Sequence, residues 1–331
     1  MEDAGRRTLR SLAPRARPAE EALAMGSALL ASAAREGTAI LSASVIEGRA
    51  VVLGAAQRAG RVVDMDACAR AGVLVARRSS TGTAAYVGGR SILWSLALPD
   101  VAALVADATP RTLINRNVRP FLRALAGAGL QAHYFGREWI AVRRAPAALL
   151  GLDGTREGAV LLEVIAGFDE PIAIPDELVT PLEREVQRFR GRSPEALAAM
   201  REAPGDPLEL AGRVAEGVAA FAGLQLEEVS LIAPLDPAPA ILDPLDPIPA
   251  GLLPAPPLRV PIGWIDAASG AHGEASGAWL GGDVLAPRWL LADLAKTPKF
   301  ESNTTGLEIP IEGAALSDLR EALRPWSTLG R

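Results

Sequence analysis

The first strong pattern along the chain is a helical spacing of apolar residues. Over residues 20–35 the apolar side chains, Leu23 and Leu30 among them, recur three to four or seven positions apart, and the pattern ends near Gly37. This spacing is typical of a helix that packs one face on a core. Glycine after the last turn is a common helix stop.

Short continuous apolar runs follow this helix. Residues 39–46 and 49–54 are two such runs on either side of Glu47 and Gly48, and they predict two strands joined as a hairpin. Further strands are predicted over residues 131–142, 147–152, 158–165, 258–265 and 277–285. Further helices are predicted over residues 64–71, 99–106, 116–127, 176–189, 194–200, 207–221, 287–295 and 316–323. The mixture predicts an α/β (α+β) fold, with a central mixed sheet flanked by helices and a smaller C-terminal α+β module.

Changes in composition predict the domain boundaries. Pro14 and Pro18 indicate a loose N-terminal arm, and the densest run of prolines indicates an extended linker. The predicted order is an arm, a large domain, a proline-rich linker and a small accessory domain, over residues 1–19, 20–233, 234–257 and 258–331.

Charge and residue usage narrow the possible functions. The net charge of −5 argues against nucleic acid as a partner, because phosphate neutralisation needs a basic face. No uncharged apolar run is long enough to span a membrane, so we expect no membrane contact and a cytoplasmic protein. Cys68 is the only cysteine and is interpreted as a buried structural thiol, and no metal site is expected.

Lysine is almost absent from the sequence. Lys296 and Lys299 are the only two, and arginine supplies the other basic side chains. The first 295 residues therefore contain no lysine ammonium group. Arginine is a poor substitute where a site needs a compact, mobile charge.

Residues 73–89 combine arginine with small residues. An apolar run ends at Arg77 and Arg78, a loop of small residues follows, and a second apolar run returns at residues 91–96. This order predicts a strand, a tight loop and a strand, with guanidinium groups beside exposed backbone N–H groups. Such a loop is a cradle for a carboxylate or phosphate, although small residues also make an ordinary turn.

The order of a strand ending at Gly54 and Gln57, a helix, and the Arg-Arg-Ser-Ser-Thr-Gly-Thr-Ala-Ala-Tyr stretch resembles the lipoate–protein ligase branch of the biotin/lipoate ligase superfamily. That branch carries an Arg-Arg-x-Ser-Gly-Gly-Gly-Ala-Val-Tyr-like loop. The resemblance implies ligand or adenylate binding by Gly54, Gln57, Arg77, Arg78, Ser80, Thr81, Gly82, Thr83, Ala84, Tyr86 and Gly151.

The chemistry implied by the resemblance has two steps. ATP, with Mg²⁺, activates lipoate or octanoate as an acyl-AMP, and a lysine of a lipoyl domain or another acceptor protein then takes the acyl group. No tightly bound cofactor is implied.

The sequence departs from this family at two charged positions. The family's Gly-Arg-Asn-Asp strand reads Gly-Arg-Glu-Trp here, which puts Trp139 where the family has aspartate. The family's Lys-Ile-Ala/Ser-Gly strand aligns with residues 148–151, so its lysine falls on Ala148. Arg143 and Arg144 are the candidates to compensate. We therefore expect a ligase or acyltransferase of degenerate or altered activity, with a non-catalytic ligand-binding or protein-binding descendant as the alternative.

Overall fold

A computed structural model describes residues 8–136, 138–200, 205–229, 247–260, 263–270, 278–296 and 322 of the chain. The strands in this part are β1 (Thr8–Pro18), β2 (Ala39–Glu47), β3 (Ala50–Leu53), β4 (Leu74–Arg77), β5 (Ala85–Val87), β6 (Arg90–Leu98), β7 (Ala132–Tyr134), β8 (Trp139–Val142), β9 (Ala145–Gly154), β10 (Val160–Gly167), β11 (Gln225–Val229), β12 (Leu252–Pro254), β13 (Leu258–Val260), β14 (Gly263–Gly270) and β15 (Ala278–Gly282).

The α-helices in the same ranges are α1 (Ala19–Glu36), α2 (Ala59–Val62), α3 (Met65–Arg70), α4 (Leu113–Asn117), α5 (Arg119–Gly127), α6 (Pro181–Arg184), α7 (Leu197–Met200), α8 (Pro207–Ala222) and α9 (Arg288–Lys296). Two 3₁₀ turns span Pro110–Thr112 and Asp176–Leu178. None of the helices described here is long and apolar enough to cross a membrane.

An eight-stranded mixed sheet is the centre of the fold. Its strand order is β11-β1-β2-β6-β10-β9-β8-β7, and β1 runs parallel to both of its neighbours while the other pairs are antiparallel. Helices α5 and α8 cover one face, which we call the helix face. Helix α1 and the small sheet β4-β3-β5 cover the other, which we call the loop face. The predicted fold class is confirmed.

The apolar residues whose spacing predicted helix α1 are the ones that it buries. Its apolar residues pack on the loop face of the sheet, and Gly37 ends it in the left-handed conformation with φ 64°. The Gly37 N–H closes the last turn on the Ala33 carbonyl at 3.0 Å. The helices predicted at 64–71, 116–127, 207–221 and 287–295 are confirmed in the same way.

The predicted loose arm is wrong for the residues described. Thr8–Pro18 forms β1, which lies inside the sheet between β11 and β2. Pro14 lies where the pairing with β2 shifts register between Leu12 and Arg15. Such a bulge releases the strand from donating a ladder hydrogen bond, so proline is tolerated there.

The predicted hairpin between β2 and β3 is also wrong, although both strands form. β2 pairs with β1 and β6 in the large sheet, whereas β3 pairs with β4 and β5 in the small one. Gly48 makes the turn at φ 97°. The chain changes sheets there, and a local turn signal carries no information on which strand becomes the partner.

Three predicted helices are absent or shortened. Residues 99–106 form turns, and the predicted helix over 176–189 is reduced to a 3₁₀ turn and α6. Gln187 and Arg190 adopt left-handed φ values of 49° and 50°, which a helix does not allow. The helix predicted over 194–200 keeps only α7. The proline-rich residues 234–246 and the helix predicted over 316–323, except for residue 322, lie outside the described residues.

The C-terminal module packs on the large domain. Strands β12, β13 and β15 all pair with β14, and α9 packs on this sheet. Arg288 binds the buried Asp153 carboxylate at 2.7 Å, and Arg61 binds Asp266 at 3.1 Å. The smaller α+β module is thereby confirmed, while the exact domain boundaries stay predictions.

Two glycines of α8 differ in the space available for a side chain, and we expect them to differ in their tolerance of substitution. A Cβ on Gly217 would lie 2.7 Å from the Ala124 Cβ of α5, whereas a Cβ on Gly212 would meet only Pro14 at 3.7 Å. We expect Gly217→Ala to destabilise the protein by about 1–3 kcal/mol through overpacking. Gly212→Ala should be neutral or stabilising by up to about 1 kcal/mol, because alanine favours helix. Urea unfolding of both variants checks this, and equal midpoints would contradict it.

Candidate functional site

The arginine-containing loop, residues 78–84, lies on the loop face between the small sheet and β9. Backbone hydrogen bonds fix it at three points: Arg78 N–H to the Leu53 carbonyl (2.9 Å), Ala55 N–H to the Ser80 carbonyl (2.8 Å) and Thr81 N–H to the Leu152 carbonyl (2.9 Å). The loop passes so close to the end of β3 that a Cβ on Gly54 would lie 2.0 Å from the Gly82 carbonyl oxygen. Glycine is therefore required at position 54.

Arg77 holds the turn that follows β3. Its Nη1 donates to the carbonyls of Gly54 (2.8 Å), Ala55 (3.2 Å) and Gln57 (2.6 Å). The Gln57 Oε1 accepts from the Gly54 N–H at 2.7 Å, and its Nε2 donates to Asp283 in the C-terminal module. Both side chains that the resemblance assigns to a ligand therefore bind the protein's own turn.

Arg78 is buried beneath the loop. Its Nη2 donates to the carbonyls of Thr83 (3.0 Å) and Leu150 (2.9 Å), while Nε and Nη1 have no hydrogen-bond partner among the described residues. Burial lowers the pKa of Arg78 to about 10, and the attraction of Glu163 opposes this effect. The guanidinium therefore stays charged at neutral pH.

Glu163 supplies a buried carboxyl group on the same face. It accepts hydrogen bonds from the hydroxyls of Ser80 and Ser95, the latter at 3.2 Å. Burial raises the pKa of Glu163, although Arg78 and the two hydroxyls favour its ionised form. Gly26 on α1 leaves room for this carboxyl, since a Cβ there would lie 2.6 Å from Oε1. Sequence reasoning missed Glu163; its signal is one acidic residue in an otherwise apolar strand.

Gly151 on β9 completes this enclosure. A Cβ at that position would lie 2.1 Å from the Ser80 hydroxyl oxygen and 2.8 Å from Arg78 Nη1. The guanidinium, the carboxyl and the hydroxyl groups thus fill the space between the loop and the sheet.

The end of the loop keeps features of an anion cradle. Among the residues described, no hydrogen-bond acceptor is assigned to the backbone N–H groups of Gly82, Thr83 and Ala84. Gly82 has φ 115°, and the buried Thr83 hydroxyl likewise has no partner in the described ranges. Consecutive free N–H groups of this kind bind anions or carbonyl oxygens.

Thr81 and Tyr86 have structural partners. The Thr81 hydroxyl oxygen lies 2.8 Å from the carbonyl oxygens of both Leu152 and Ala286, which share its single hydrogen as acceptors, and it accepts from the Ala286 N–H. The Tyr86 hydroxyl accepts from Arg49 Nε at 2.9 Å, and its ring packs in the core around β3. Thr81 thereby ties the loop to β9 and to the C-terminal module, while Tyr86 joins β5 to the residue before β3.

A cleft of about 190 Å³ opens at the end of the loop. Ala84, Ile172, Ile174, Val179 and Phe189 give it apolar walls. Its charged lining is Asp176, Glu183, Arg184 and Arg188, two of each sign. Sequence reasoning missed this segment because it predicted a continuous helix over 176–189.

Arg188 is held by carboxylates on two sides. It binds Glu183 through Nε and Nη2, both at 2.5 Å, and Asp283 through Nη1 at 3.3 Å. These neighbours raise the pKa of Arg188 although it is buried. Arg184 donates to the carbonyls of Asp176 and Val179. The cleft therefore offers apolar surface and hydrogen-bonding groups, and the charges of its four charged side chains balance.

The position aligned with the family lysine lies on the wrong face. Side chains alternate along β9, and Ala148 packs with Leu150 on the helix face, whereas Leu149 packs with Trp139 on the loop face. A lysine at position 148 would point into the apolar core away from Arg78. The position that aligns with the family lysine therefore faces the apolar core in this chain.

The compensating role predicted for Arg143 and Arg144 is also wrong. Both are exposed in the turn between β8 and β9, with left-handed φ values of 49° and 75°. Leu150, whose carbonyl binds Arg78, lies six positions along the strand from Arg144, which is roughly 20 Å. A side chain at the turn cannot reach across that distance.

The chain was compared with a set of protein-family models and with proteins of known structure. Residues 18–145 match the family model of the lipoyl protein ligase A/B catalytic domain. No curated protein matches the sequence. Among solved structures, the chain is similar to the bipartite lipoate protein ligase of an archaeal lipoylation system from Thermoplasma acidophilum, with 17% identity, 69% of this chain and 89% of that chain covered, and a TM-score of 0.56.

Two further structures share the fold. A lipoate-protein ligase A bound with ATP covers 69% of this chain and 90% of its own, with 17% identity and a TM-score of 0.55. LipL1 of P. falciparum in complex with lipoate covers 82% of each chain, with 12% identity and a TM-score of 0.57. The resemblance found in the arginine-containing loop is confirmed.

The buried Glu163 predicts a pH dependence of stability. Its pKa is raised in the folded state, so the folded protein binds the proton more tightly than the unfolded chain. The free energy of unfolding should fall as pH rises from about 4.3 through the raised pKa, by about 1.4 kcal/mol for each tenfold weakening of the acid. Glu163→Gln should flatten this dependence in urea unfolding between pH 4.5 and 8. The exposed Glu157→Gln is the control, and an unchanged slope in Glu163→Gln would contradict the assignment.

Proposed function

We propose that this chain, whose residues 18–145 match the lipoyl protein ligase A/B catalytic domain, is a non-catalytic descendant of the lipoate–protein ligases. It binds a lipoyl-type acyl amide in the cleft beside the arginine-containing loop and does not activate lipoate with ATP. The observation that carries this proposal is the engagement of both loop guanidiniums by backbone carbonyls. Adenylate formation needs cations placed around the reacting carboxylate and phosphate.

The distribution of lysine supports the loss of catalysis. Lys296, at the end of α9 in the C-terminal module, is the only lysine within the described ranges. Arg78 is buried and held by the carbonyls of Thr83 and Leu150, so it is not mobile enough to replace an ammonium group. Removing one preorganised charge partner costs about 10²–10³ in rate.

The lining of the cleft supports a neutral ligand. Its two acidic and two basic side chains balance, and Arg188 already binds Glu183 and Asp283. An acyl-adenylate would bring a further negative charge into this site, whereas an acyl amide brings none. The carbonyl of an amide would accept from the N–H of Ala84, the loop-end residue that lines the cleft, and its chain would contact the apolar walls.

The relatives indicate the class of ligand and partner. One of them has bound lipoic acid, another is bound with ATP, and the archaeal ligase belongs to a lipoylation system with an E2 lipoyl domain. A lipoylated lysine on such a domain is a lipoyl amide. We therefore take a lipoyl domain as the proposed protein partner.

An adenylating ligase with altered residues is the second candidate. The unoccupied N–H groups of Gly82, Thr83 and Ala84 favour it, because such a run also binds phosphate. It would use ATP, Mg²⁺ and lipoate or octanoate. The two candidates differ in whether the protein prefers the neutral amide or the adenylate.

Calorimetric titration with lipoamide, lipoate and a non-hydrolysable lipoyl-AMP analogue separates the candidates. We expect lipoamide to bind more tightly than the other two, because it adds no charge to a balanced cleft. Ala173→Trp places a large ring in the half-buried wall and should weaken lipoamide binding at least about tenfold by filling the space.

Glu177→Trp is the matched control, since residue 177 is exposed outside the lining and should leave binding unchanged. Tighter binding of the lipoyl-AMP analogue would favour the adenylating ligase. Absence of heat with all three compounds would exclude the proposed ligand class.

A further inference from the structure

The turn between β8 and β9 carries two arginines at positions that disfavour them. Val142 pairs with Ala145, so the hairpin has a two-residue loop, and both loop residues, Arg143 and Arg144, have left-handed φ values of 49° and 75°. Two-residue hairpin loops with positive φ at both positions strongly prefer Asn-Gly or Gly-Gly, because other side chains are strained there. Arginine at both positions therefore points to a role other than stabilising the turn.

The segment after the cleft wall brings two more arginines to this turn. Arg192 Nη1 donates to the Arg144 carbonyl at 2.9 Å. Arg190 lies two residues before Arg192 and also has a left-handed φ, of 50°. Of the four non-glycine residues with positive φ in the described ranges, three are Arg143, Arg144 and Arg190. Arg143, Arg144, Arg190 and Arg192 are all exposed, and we call them the basic patch.

The charge of the basic patch is not neutralised within the part of the chain that the structure describes. Arg143, Arg144 and Arg192 form no ion pair there, whereas Arg188 is held by two carboxylates. Glu195 is the one acidic residue between positions 186 and 200, and none lies between positions 139 and 152. This surface is therefore positive, although the net charge of the chain is −5.

The basic patch adjoins the cleft beside the arginine-containing loop. Gln187 and Phe189 line that cleft. The Gln187 carbonyl accepts from the Arg190 N–H at 2.7 Å, and the Phe189 carbonyl accepts from the Arg192 N–H at 3.0 Å. A protein that inserts a modified side chain into the cleft would therefore meet these arginines at its rim.

We infer that the basic patch docks an acidic face of the protein whose lipoyl-lysine enters the cleft. The inference rests on the proposed function, since the ligand of the cleft is what places that protein beside the patch. Arginine suits this role, because its planar guanidinium binds a carboxylate through two parallel hydrogen bonds. Complementary charge of this kind speeds association and discriminates between partners.

A protein fits the patch better than a nucleic acid or a membrane surface does. Outside the patch the chain carries an excess of negative charge, which repels an extended phosphate backbone. Binding in a membrane interface also buries apolar side chains. The exposed large apolar residues in the described ranges, Phe135, Phe221 and Leu253, lie outside the patch.

Three peptides of equal length test the docking on the full-length protein. Two carry a central lipoyl-lysine, flanked by glutamates in one and by glutamines in the other, and the third has alanine in place of the lipoyl-lysine between the glutamates. In fluorescence anisotropy at low salt, the acidic lipoyl peptide should bind about tenfold more tightly than the neutral one, because several exposed ion pairs add up. This preference should disappear at high salt, which screens exposed charges.

Three double variants locate the effect. Arg143→Asn with Arg144→Gly gives the turn its preferred residues, so it should raise the urea midpoint while reducing the preference for the acidic peptide to about threefold. Arg143→Lys with Arg144→Lys keeps the charge and should keep the preference within about twofold. Arg119→Gln with Arg123→Gln removes two exposed charges of α5 and should leave the preference unchanged.

Three outcomes would overturn the inference. They are equal affinity of the wild type for the two lipoyl peptides, an equal loss of preference in the α5 variant, and tighter binding of single-stranded DNA or phosphatidylglycerol vesicles than of the acidic lipoyl peptide.

Failure of the docking and failure of the proposed function are distinguishable. Lipoamide is uncharged and reports on the cleft alone, so its failure to bind counts against the proposed function. The acidic peptide with alanine reports on the patch alone. Equal binding of that peptide to the wild type and to Arg143→Asn with Arg144→Gly would overturn the docking whether or not lipoamide binds.

Discussion

Burial of the Arg78 guanidinium is the constraint on which the rest of the site depends. A charged group out of water needs polar partners close by, and the loop and β9 supply the carbonyls of Thr83 and Leu150. Glu163 adds the balancing carboxyl from β10, held by two serine hydroxyls. Gly26 and Gly151 leave the room that this arrangement requires. The arginine of the loop therefore serves the protein interior.

The cleft next to this loop depends on the C-terminal module. Asp283 of that module binds both Gln57 and Arg188, which belong to the turn after β3 and to the cleft wall. Ala286 binds the hydroxyl of Thr81 in the loop itself. Displacement of the module would break these contacts together, so the shape of the cleft and the position of the module are energetically coupled.

Sequence patterns predicted the features that local physics controls. The fold class and α1 with its glycine stop follow from the spacing of apolar residues, and Cys68 is buried as predicted. The loop was found from its arginines and small residues. Strand partners and side-chain faces could not be found this way, because they depend on residues far apart in sequence.

The features that the sequence analysis missed also depend on residues far apart in sequence. Ala148 matches the family lysine by position in a motif, yet its face on the sheet is set by the register of β9 with β8 and β10. In the sequence, Glu163 is only an acidic residue that interrupts an apolar strand. Its role becomes visible in the fold, where it lies near Arg78 and accepts a hydrogen bond from Ser80, 83 residues away in sequence. The cleft was missed because the predicted helix over 176–189 does not form, and Gln187 within that range adopts a left-handed conformation.

Pyrophosphate exchange tests the central claim most directly, namely that the internal pairing of the loop cations has removed adenylate chemistry. Purified protein with ATP, Mg²⁺ and lipoate or octanoate would be compared with an active lipoate–protein ligase at equal concentration. The account predicts exchange at least about 10²-fold below that of the active ligase with either acid. Exchange at a comparable rate would contradict it and would show that the protein activates carboxylates without the family lysine.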